Sequence, residues 1–401
     1  MPNESKSSEL SDPIPKNGIP LHPKKIEWKE YRFSDFVEIN PSVKIPKDVP
    51  VPFVEMKDLN SLERYCVSSQ TRMLGGGSRF CNGDTLFARI TPCLENGKIC
   101  QVRGLKNGYG FGSTEFHVFR GREGISDSDF VYYLSKTDDA RSHAEINLEG
   151  TSGRQRVSKE AFDNLYLSLP PLSEQKRIAA ILGSLDDKID LLHRQNATLE
   201  AMAETLFRHH FIENPNPDWK EVPLTEIATF TNGLACQKYP PKSEVEKLPV
   251  LKIRELSNGI GNDSDWATTD VGSEYVVHAG DVIFAWSASL MVKIWDGEDC
   301  ILNQHLFKVT SEKYPKWFYY LWCKHHLDEF ISIAESHATT MGHIKRRDLD
   351  TAMTLTASSF ELRTIDLQIQ PIFEKIVVNN LQAKTLKNKR NSILSQLMYG
   401  E

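Results

Sequence analysis

The sequence of 401 residues has no apolar run long enough to cross a lipid bilayer, which argues against a membrane-spanning protein. Its seven cysteines never form a C-x-x-C pair, and an odd number argues against a disulfide framework. Unpaired thiols are typical of a reducing compartment, so we expect a cytoplasmic protein without a cysteine-based zinc site. The basic excess typical of DNA-binding domains is also missing, because the net charge is −6. Charge placement matters more than this sum, so a nucleic-acid ligand is disfavoured without being excluded.

Motifs for catalysis are missing as well. The sequence has no G-x-x-x-x-G-K-[ST] loop, no glycine fingerprint for S-adenosylmethionine and no amino-methyltransferase motif. A nuclease-like spacing occurs once, at Asp48, Glu55 and Lys57, but the corresponding residues in the second half of the chain are Lys252 and Arg254. We therefore expect a chain without catalytic residues, cofactor or metal of its own, and a fused nuclease stays open as an alternative.

An internal repeat organises the chain. Trp28-Lys29-Glu30 recurs as Trp219-Lys220-Glu221, and the blocks 53–59 and 83–88 both recur 197 residues later. Two separate blocks with one common offset indicate a duplicated unit. Each copy combines short β-rich runs, turn residues and a few helical stretches, which predicts an α+β domain. The expected segments are a disordered lead-in at 1–26, a first domain at 27–170, a first spacer helix at 171–213, a second domain at 214–358 and a second spacer helix at 359–401.

The two long helices carry apolar residues alternately four and three positions apart, which is the a/d pattern of a coiled coil. Each seam includes an asparagine, Asn196 or Asn379, and a buried asparagine fixes the register of such a pair. Pro371 is expected to kink the second helix or to delay its regular start. Antiparallel pairing would place the two domains at opposite ends of a spacer of about 60 Å, related by an approximate two-fold axis. Two similar domains held apart in this way suit duplex DNA.

Basic and amide side chains cluster after the repeated strands and after Gly153 and Gly342, which we align at an offset of 189. Arginine and lysine suit phosphates and guanine edges, whereas asparagine and glutamine suit adenine. The strands repeat while the loops after them diverge, as expected if the copies read different half-sites. The candidate DNA contacts are Arg89, Asn96, Lys98, Arg103, Arg154, Gln155, Arg156 and Lys159 in the first domain, and Trp286, Ser287, Lys293, His343, Lys345, Arg346 and Arg347 in the second.

The chain resembles the specificity (S) subunits of type I restriction–modification systems over residues 27–401. The resemblance is carried by the string LPPLSEQ at 169–175, by the Gly-Asp strands at Gly83 and Gly280, and by the closing string LSQLMYG at 394–400. The second domain–helix junction departs from this pattern, because it reads TASSFEL.

The resemblance implies two target-recognition domains, each reading one half of a split, asymmetric DNA site, with antiparallel helices that set the gap between the halves. It also implies two methyltransferase subunits, which use S-adenosylmethionine to methylate adenine N6, and restriction subunits, which use ATP and Mg²⁺. The chain itself would supply recognition without catalysis. The residues expected at the partner interface are Leu172, Glu174, Gln175 and Glu361.

A different class of protein stays open, namely a duplicated adaptor whose coiled coil assembles other proteins without touching DNA. The net charge of −6 over residues 218–358 favours this alternative. Phosphate contacts make DNA affinity fall steeply with salt, so the salt dependence of binding separates the two classes.

Overall fold

The structure, a computed structural model, describes residues 27–151, 153–261, 263–336 and 342–399. The expected lead-in at 1–26 lies outside the described residues. The chain divides into two compact units, Met1–Ala180 and Ile181–Glu401. Each unit contains one copy of the repeated domain.

The first domain is a mixture of short strands and short helices. Its strands are β1 (Lys29–Arg32), β2 (Val37–Ile39), β3 (Val51–Val54), β4 (Tyr65–Cys66), β5 (Gln70–Arg72), β6 (Ser78–Cys81), β7 (Thr85–Ala88), β8 (Ile99–Val102), β9 (Tyr109–Gly112), β10 (Phe116–Gly121), β11 (Leu148–Glu149), β12 (Arg156–Val157) and β13 (Tyr166–Leu169). Its helices are α1 (Phe33–Phe36), α2 (Ser128–Ser135) and α3 (Asp138–Ile146), with 3-10 turns at Met56–Asp58, Lys106–Gly108 and Glu160–Asn164.

Two sheets form the body of the first domain, in the orders β2-β10-β7-β8-β4 and β5-β3-β9-β6. Strand β7 is buried along its whole length, because successive side chains point to opposite faces and both faces are covered. Leu86 packs into a core that includes Val54 and Phe80. On the other face the ring of Phe87 contacts the rings of Phe119 and Phe162.

The second domain follows the long helix α4 (Leu172–Arg208) and a π-helical turn at His209–Glu213. Its strands are β14 (Lys220–Pro223), β15 (Thr229–Asn232), β16 (Lys247–Leu251), β17 (Trp266–Thr268), β18 (Val276–Val277), β19 (Val282–Ala285), β20 (Met291–Ile294), β21 (Cys300–Leu302), β22 (Leu306–Thr310) and β23 (Met353–Thr356). Its helices are α5 (Leu224–Ile227), α6 (Ile253–Asn258), α7 (Lys316–His325), α8 (Leu327–Ser336) and α9 (Arg346–Thr351), and the chain continues into α10 (Ser359–Tyr399), with 3-10 turns at Cys236–Lys238 and Ser273–Tyr275.

The second domain repeats the plan of the first. Its sheets have the orders β15-β22-β19-β20 and β17-β16-β21-β18, and β19 is again buried along its whole length between two cores. The pairs β3/β9 and β16/β21 are both parallel. The first and last strands pair in one register, with Lys29 opposite Leu169 in one copy and Lys220 opposite Thr356 in the other. The predicted α+β fold with a duplicated domain is therefore confirmed.

The long helices pair antiparallel within the second unit. Asn196 on α4 bonds Asn379 on α10, and Asp186 bonds Arg390, so residue numbers fall along one helix while they rise along the other. The predicted antiparallel pairing is confirmed. The expected delay of the regular start at Pro371 was wrong, because α10 is helical from Ser359 onward with the proline inside it. Pro371 lies on the exposed side of the helix, where water can reach the carbonyl group that loses its amide partner.

Candidate nucleic-acid interface

The main chain at the end of β7 forms a short ladder with the segment that precedes the 3-10 turn at Glu160–Asn164. Thr91 N donates to Gln155 O (3.0 Å), and Val157 N donates to Arg89 O (2.9 Å). Ile90 and Arg156 are bridge partners in this ladder. The ladder brings the loop after β7 against a segment that lies more than 60 residues further along the chain.

The second domain contains the same ladder at the end of β19. Ala288 N donates to Gly342 O (2.9 Å), Ile344 N donates to Trp286 O (3.1 Å), and Ser287 is bridged to His343. The equivalent of Arg156 is therefore His343, which lies 187 residues later, as does the start of α10 relative to α4. The sequence alignment of Gly153 with Gly342 was wrong by two residues, because the loops before these ladders differ in length.

In the first domain an ion pair between Arg156 and Glu115 lies beside the ladder. The guanidinium group of Arg156 donates to both carboxylate oxygens of Glu115, with Nη2–Oε1 at 2.7 Å and Nε–Oε2 at 2.9 Å. Arg89 N donates to Glu115 O (3.0 Å), which places Arg89 next to this pair. The Nε atom of Arg89 is buried and has no hydrogen-bond partner.

A buried histidine, His117, forms a hydrogen bond with the main chain of the first ladder. His117 Nε2 lies 2.9 Å from Val157 O, and burial lowers the pKa of His117 to about 4. The imidazole is therefore neutral at physiological pH and donates from Nε2 to the carbonyl oxygen.

In the second domain aromatic rings take the place of the ion pair. The indole of Trp286 stacks on Phe307 with a centroid distance of 5.7 Å and meets the ring of His343 edge-on at 6.3 Å. Ser287 Oγ lies 3.2 Å from Nδ1 of His305. The Nε1 atom of Trp286 is buried without a hydrogen-bond partner, as is Nε of Arg89 at the equivalent position.

Exposed cations flank both ladders. Arg154 and Lys159 are exposed beside the first, and Lys345, Arg346 and Arg347 are exposed beside the second. Lys345 precedes α9, whose first turn is closed by a hydrogen bond from Lys345 N to Asp348 Oδ2 (2.7 Å). The structure therefore brings together eleven of the predicted DNA contacts in two surfaces, which we call the strand-end surfaces. They comprise Arg89, Arg154, Gln155, Arg156 and Lys159 in the first domain, and Trp286, Ser287, His343, Lys345, Arg346 and Arg347 in the second.

Three other residues predicted to contact DNA instead contact groups of their own domains. Lys98 Nζ donates to Met56 O (2.8 Å), and Arg103 lies over the ring of Tyr65 (4.1 Å to the centroid). Lys293 donates to a main-chain carbonyl and pairs with an aspartate. Asn96 is exposed in the turn that follows the first ladder.

Two of the four residues predicted for the partner interface, Gln175 and Glu361, anchor the helix starts to their own domains. Gln175 is buried: its Oε1 accepts from Asp127 N (2.9 Å), and its Nε2 donates to Ile125 O (3.0 Å) and Pro170 O (2.9 Å). This corrects the prediction for Gln175, which fastens α4 to the first domain. Leu172 and Glu174 remain half-buried at the helix start.

Glu361 is the equivalent residue of Glu174 at the start of α10. Its carboxylate accepts from Ser358 Oγ (2.6 Å), Asn216 Nδ2 (2.8 Å) and Trp219 Nε1 (3.0 Å). These donors, Ser358 first among them, lower the pKa of Glu361 to about 2. The carboxylate therefore anchors α10 to the second domain, and its role as a partner contact stays a prediction.

No local sequence pattern marks Glu115, His117 or His305 as members of these surfaces. Each lies at or next to the start of β10 or β22, and only the pairing of these strands with β7 and β19 brings them to the ladders. Among the described residues, no group of three His, Cys, Asp or Glu side chains is placed to hold a metal ion. Within the same residues, no helix has the length and apolarity needed to cross a membrane.

The architecture is therefore a duplicated α+β domain with a paired helix after each copy, and the two copies present different side chains on one scaffold. The sequence matches the family described as type I restriction modification DNA specificity domain over residues 25–201 and 216–352. These two regions cover most of the chain, which therefore belongs to this family. The description of this family refers to DNA specificity, that is, to the recognition of particular DNA sequences.

Individual relatives agree with this assignment. The chain is 30% identical over 209 residues to the EcoAI specificity subunit of Escherichia coli, a match that covers 49% of this chain and about a third (35%) of that protein. It is 25% identical over 413 residues to the MjaIX specificity subunit of Methanocaldococcus jannaschii, covering 94% of this chain and 93% of the relative. The crystal structure of the type I S subunit from M. genitalium shares the fold, with a TM-score of 0.53 at 12% identity over 94% of this chain and 97% of that one.

Proposed function

We propose that this chain is the non-catalytic DNA-recognition subunit of a cytoplasmic type I restriction–modification complex, and that each domain reads one half of a split, asymmetric site in duplex DNA. The observation that carries the proposal is the shared ladder at the two strand-end surfaces, which presents different side chains in the two copies. A duplicated scaffold whose exposed residues diverge is suited to two different half-sites. The exposed cations beside each ladder are suited to phosphate groups.

The paired helices are proposed to set the number of base pairs between the two half-sites. A spacer of this kind needs one fixed register, and buried polar contacts provide it in coiled coils. Asn196 and Asn379 form such a contact, with Asn379 Nδ2 donating to Asn196 Oδ1 at 2.8 Å.

The chemistry is proposed to belong to partner subunits. Two methyltransferase subunits with S-adenosylmethionine would methylate adenine N6, and restriction subunits with ATP and Mg²⁺ would cleave unmethylated DNA. Cleavage by this chain itself is disfavoured, because Glu55 of the nuclease-like pattern pairs its carboxylate with Lys57 (2.8 Å) and Arg72 (2.5 Å).

The salt dependence of DNA binding tests this proposal against the adaptor alternative, which the acidic second domain favours. The chain, copurified with its methyltransferase, would be titrated with a random duplex between 50 and 200 mM salt. Six phosphate contacts would lower the affinity by about 10³-fold over this range. Replacing Arg346 and Arg347 by alanine is expected to reduce the slope of log affinity against log salt by about 2, whereas Lys313→Ala, an exposed lysine in another loop of the same domain, leaves it unchanged. Absence of binding at low salt would favour the adaptor.

A further inference from the structure

Three side chains at each strand-end surface occupy equivalent positions in the two domains. Arg89 N donates to Glu115 O, as Trp286 N donates to His305 O, and Arg156 and His343 are the bridge partners of the residues that follow Arg89 and Trp286. We call Arg89, Glu115 and Arg156 the first triad, and Trp286, His305 and His343 the second triad.

Within each triad, side chains from distant parts of the chain contact one another. In the first, the carboxylate of Glu115 holds the guanidinium group of Arg156 through two hydrogen bonds. In the second, the indole of Trp286 lies 5.9 Å from the ring of His305 and 6.3 Å from that of His343, between centroids. The first triad is ionic and the second is aromatic, although the main-chain framework beneath them is the same.

Both triads contain a donor that lacks an acceptor. Arg89 Nε and Trp286 Nε1 are buried and have no hydrogen-bond partner in the structure, at equivalent positions of the two copies. Neither atom is exposed enough to meet a ligand itself, so contact with a base falls to the exposed groups beside them, the guanidinium group of Arg156 in the first triad and the rings of His305 and His343 in the second. The major-groove edges of bases present acceptors for such groups at purine N7, guanine O6 and thymine O4.

We propose that the two triads are the base-reading elements of this subunit, one for each half-site, an inference that rests on the proposed DNA-recognition function. In the first triad Arg89 and Arg156 suit the paired acceptors of guanine. Glu115 orients Arg156 and disfavours a phosphate beside it, because two anions repel each other. In the second triad the indole and imidazole rings suit the methyl group and O4 of thymine or the N7 of a purine.

A graft of the second triad onto the first domain tests the proposal in the intact complex. The variant Arg89→Trp, Glu115→His, Arg156→His would be assembled with its methyltransferase, and methylated adenines would be mapped on genomic DNA. We expect one half-site of the methylated motif to change, while the other half-site and the gap stay the same. The matched control is Lys44→Ala, an exposed lysine of the same domain outside the triad, which leaves the whole motif unchanged.

A milder variant covers the case in which the graft does not fold. Arg156→Lys keeps the positive charge and loses the two-point hydrogen bond, so methylation of the cognate site should fall at least tenfold relative to sites with one substitution in that half. An unchanged motif in the graft, or unchanged discrimination in Arg156→Lys, would overturn the triad proposal. A wild-type complex that methylates no split motif would instead overturn the proposed function.

Discussion

The buried ion pair between the long helices gives the sharpest prediction for stability. Asp186 on α4 is 3% exposed, and its Oδ1 lies 2.6 Å from Nη1 of Arg390 on α10. Arg390→Ala would leave a buried carboxylate without this partner, which costs about 3–5 kcal/mol. For a unit of this size the midpoint of thermal unfolding would fall by about 10 °C.

The internal repeat supplies a matched rescue. Since α4 and α10 begin 187 residues apart, Asp186 corresponds to Phe373 and Arg390 corresponds to Ala203, and both of these apolar residues are buried in the core of the second domain. The double variant Asp186→Phe, Arg390→Ala copies that apolar layer. Replacement of a buried ion pair by packed apolar groups is often neutral or stabilising, so we expect the double variant to recover most of the loss.

Thermal and urea unfolding followed by circular dichroism would measure these changes. The control is Arg194→Ala, which breaks an exposed pair with Asp190 on the same helix and should cost less than about 1 kcal/mol. An Arg390→Ala variant that loses no more stability than Arg194→Ala, or a double variant as unstable as the single one, would contradict this role of the buried ion pair.

Three further predictions concern the first domain and the spacer. The folded-state pKa of His117, about 4, lies below the ordinary value of 6.5, so its neutral form contributes stability above pH 6.5 that is lost as pH falls towards 4. His117→Phe, which copies Phe307 of the second domain, should remove this acid-sensitive contribution of about 3 kcal/mol. The free energy of unfolding would be measured at pH 7 and pH 4. A difference between the two pH values as large in the variant as in the wild type would contradict this role of His117. Gln175→Ala should destabilise the first unit by about 1–3 kcal/mol in urea unfolding, because it leaves buried main-chain groups unsatisfied, whereas the exposed neighbour Lys176→Ala should have little effect. Deletion of the heptad 185–191 together with the facing heptad 384–390 should alter the gap in the methylated motif and leave both half-sites intact; an unaltered gap would contradict the spacer function.

Much of the scaffold follows from local sequence. Gly-Asp before an apolar run predicted β7 and β19, and the four-three spacing of apolar residues predicted α4 and α10. These features are readable because strand and helix periodicities depend only on neighbouring residues.

The composition of the site depends on contacts between distant segments, which no local pattern encodes. Glu115 reaches Arg156, 41 residues further on, only because β10 pairs with β7 and because the ladder closes beyond it. Gln175 reads as an exposed residue of a helix start, yet it packs against a turn that lies 50 residues earlier. Gly153 and Gly342 seemed equivalent because each precedes basic residues. The ladders show instead that Arg156 of the first domain is equivalent to His343 of the second.

The claim that each domain reads one half-site is tested most directly by mapping methylated adenines in a strain that carries this chain with its partner subunits. The map would be made before and after residues 214–358 are exchanged for the corresponding domain of another specificity subunit. We predict a split, asymmetric motif with one fixed gap, of which the exchange replaces only one half-site. A motif that changes in both halves, or a continuous motif without a gap, would contradict the account.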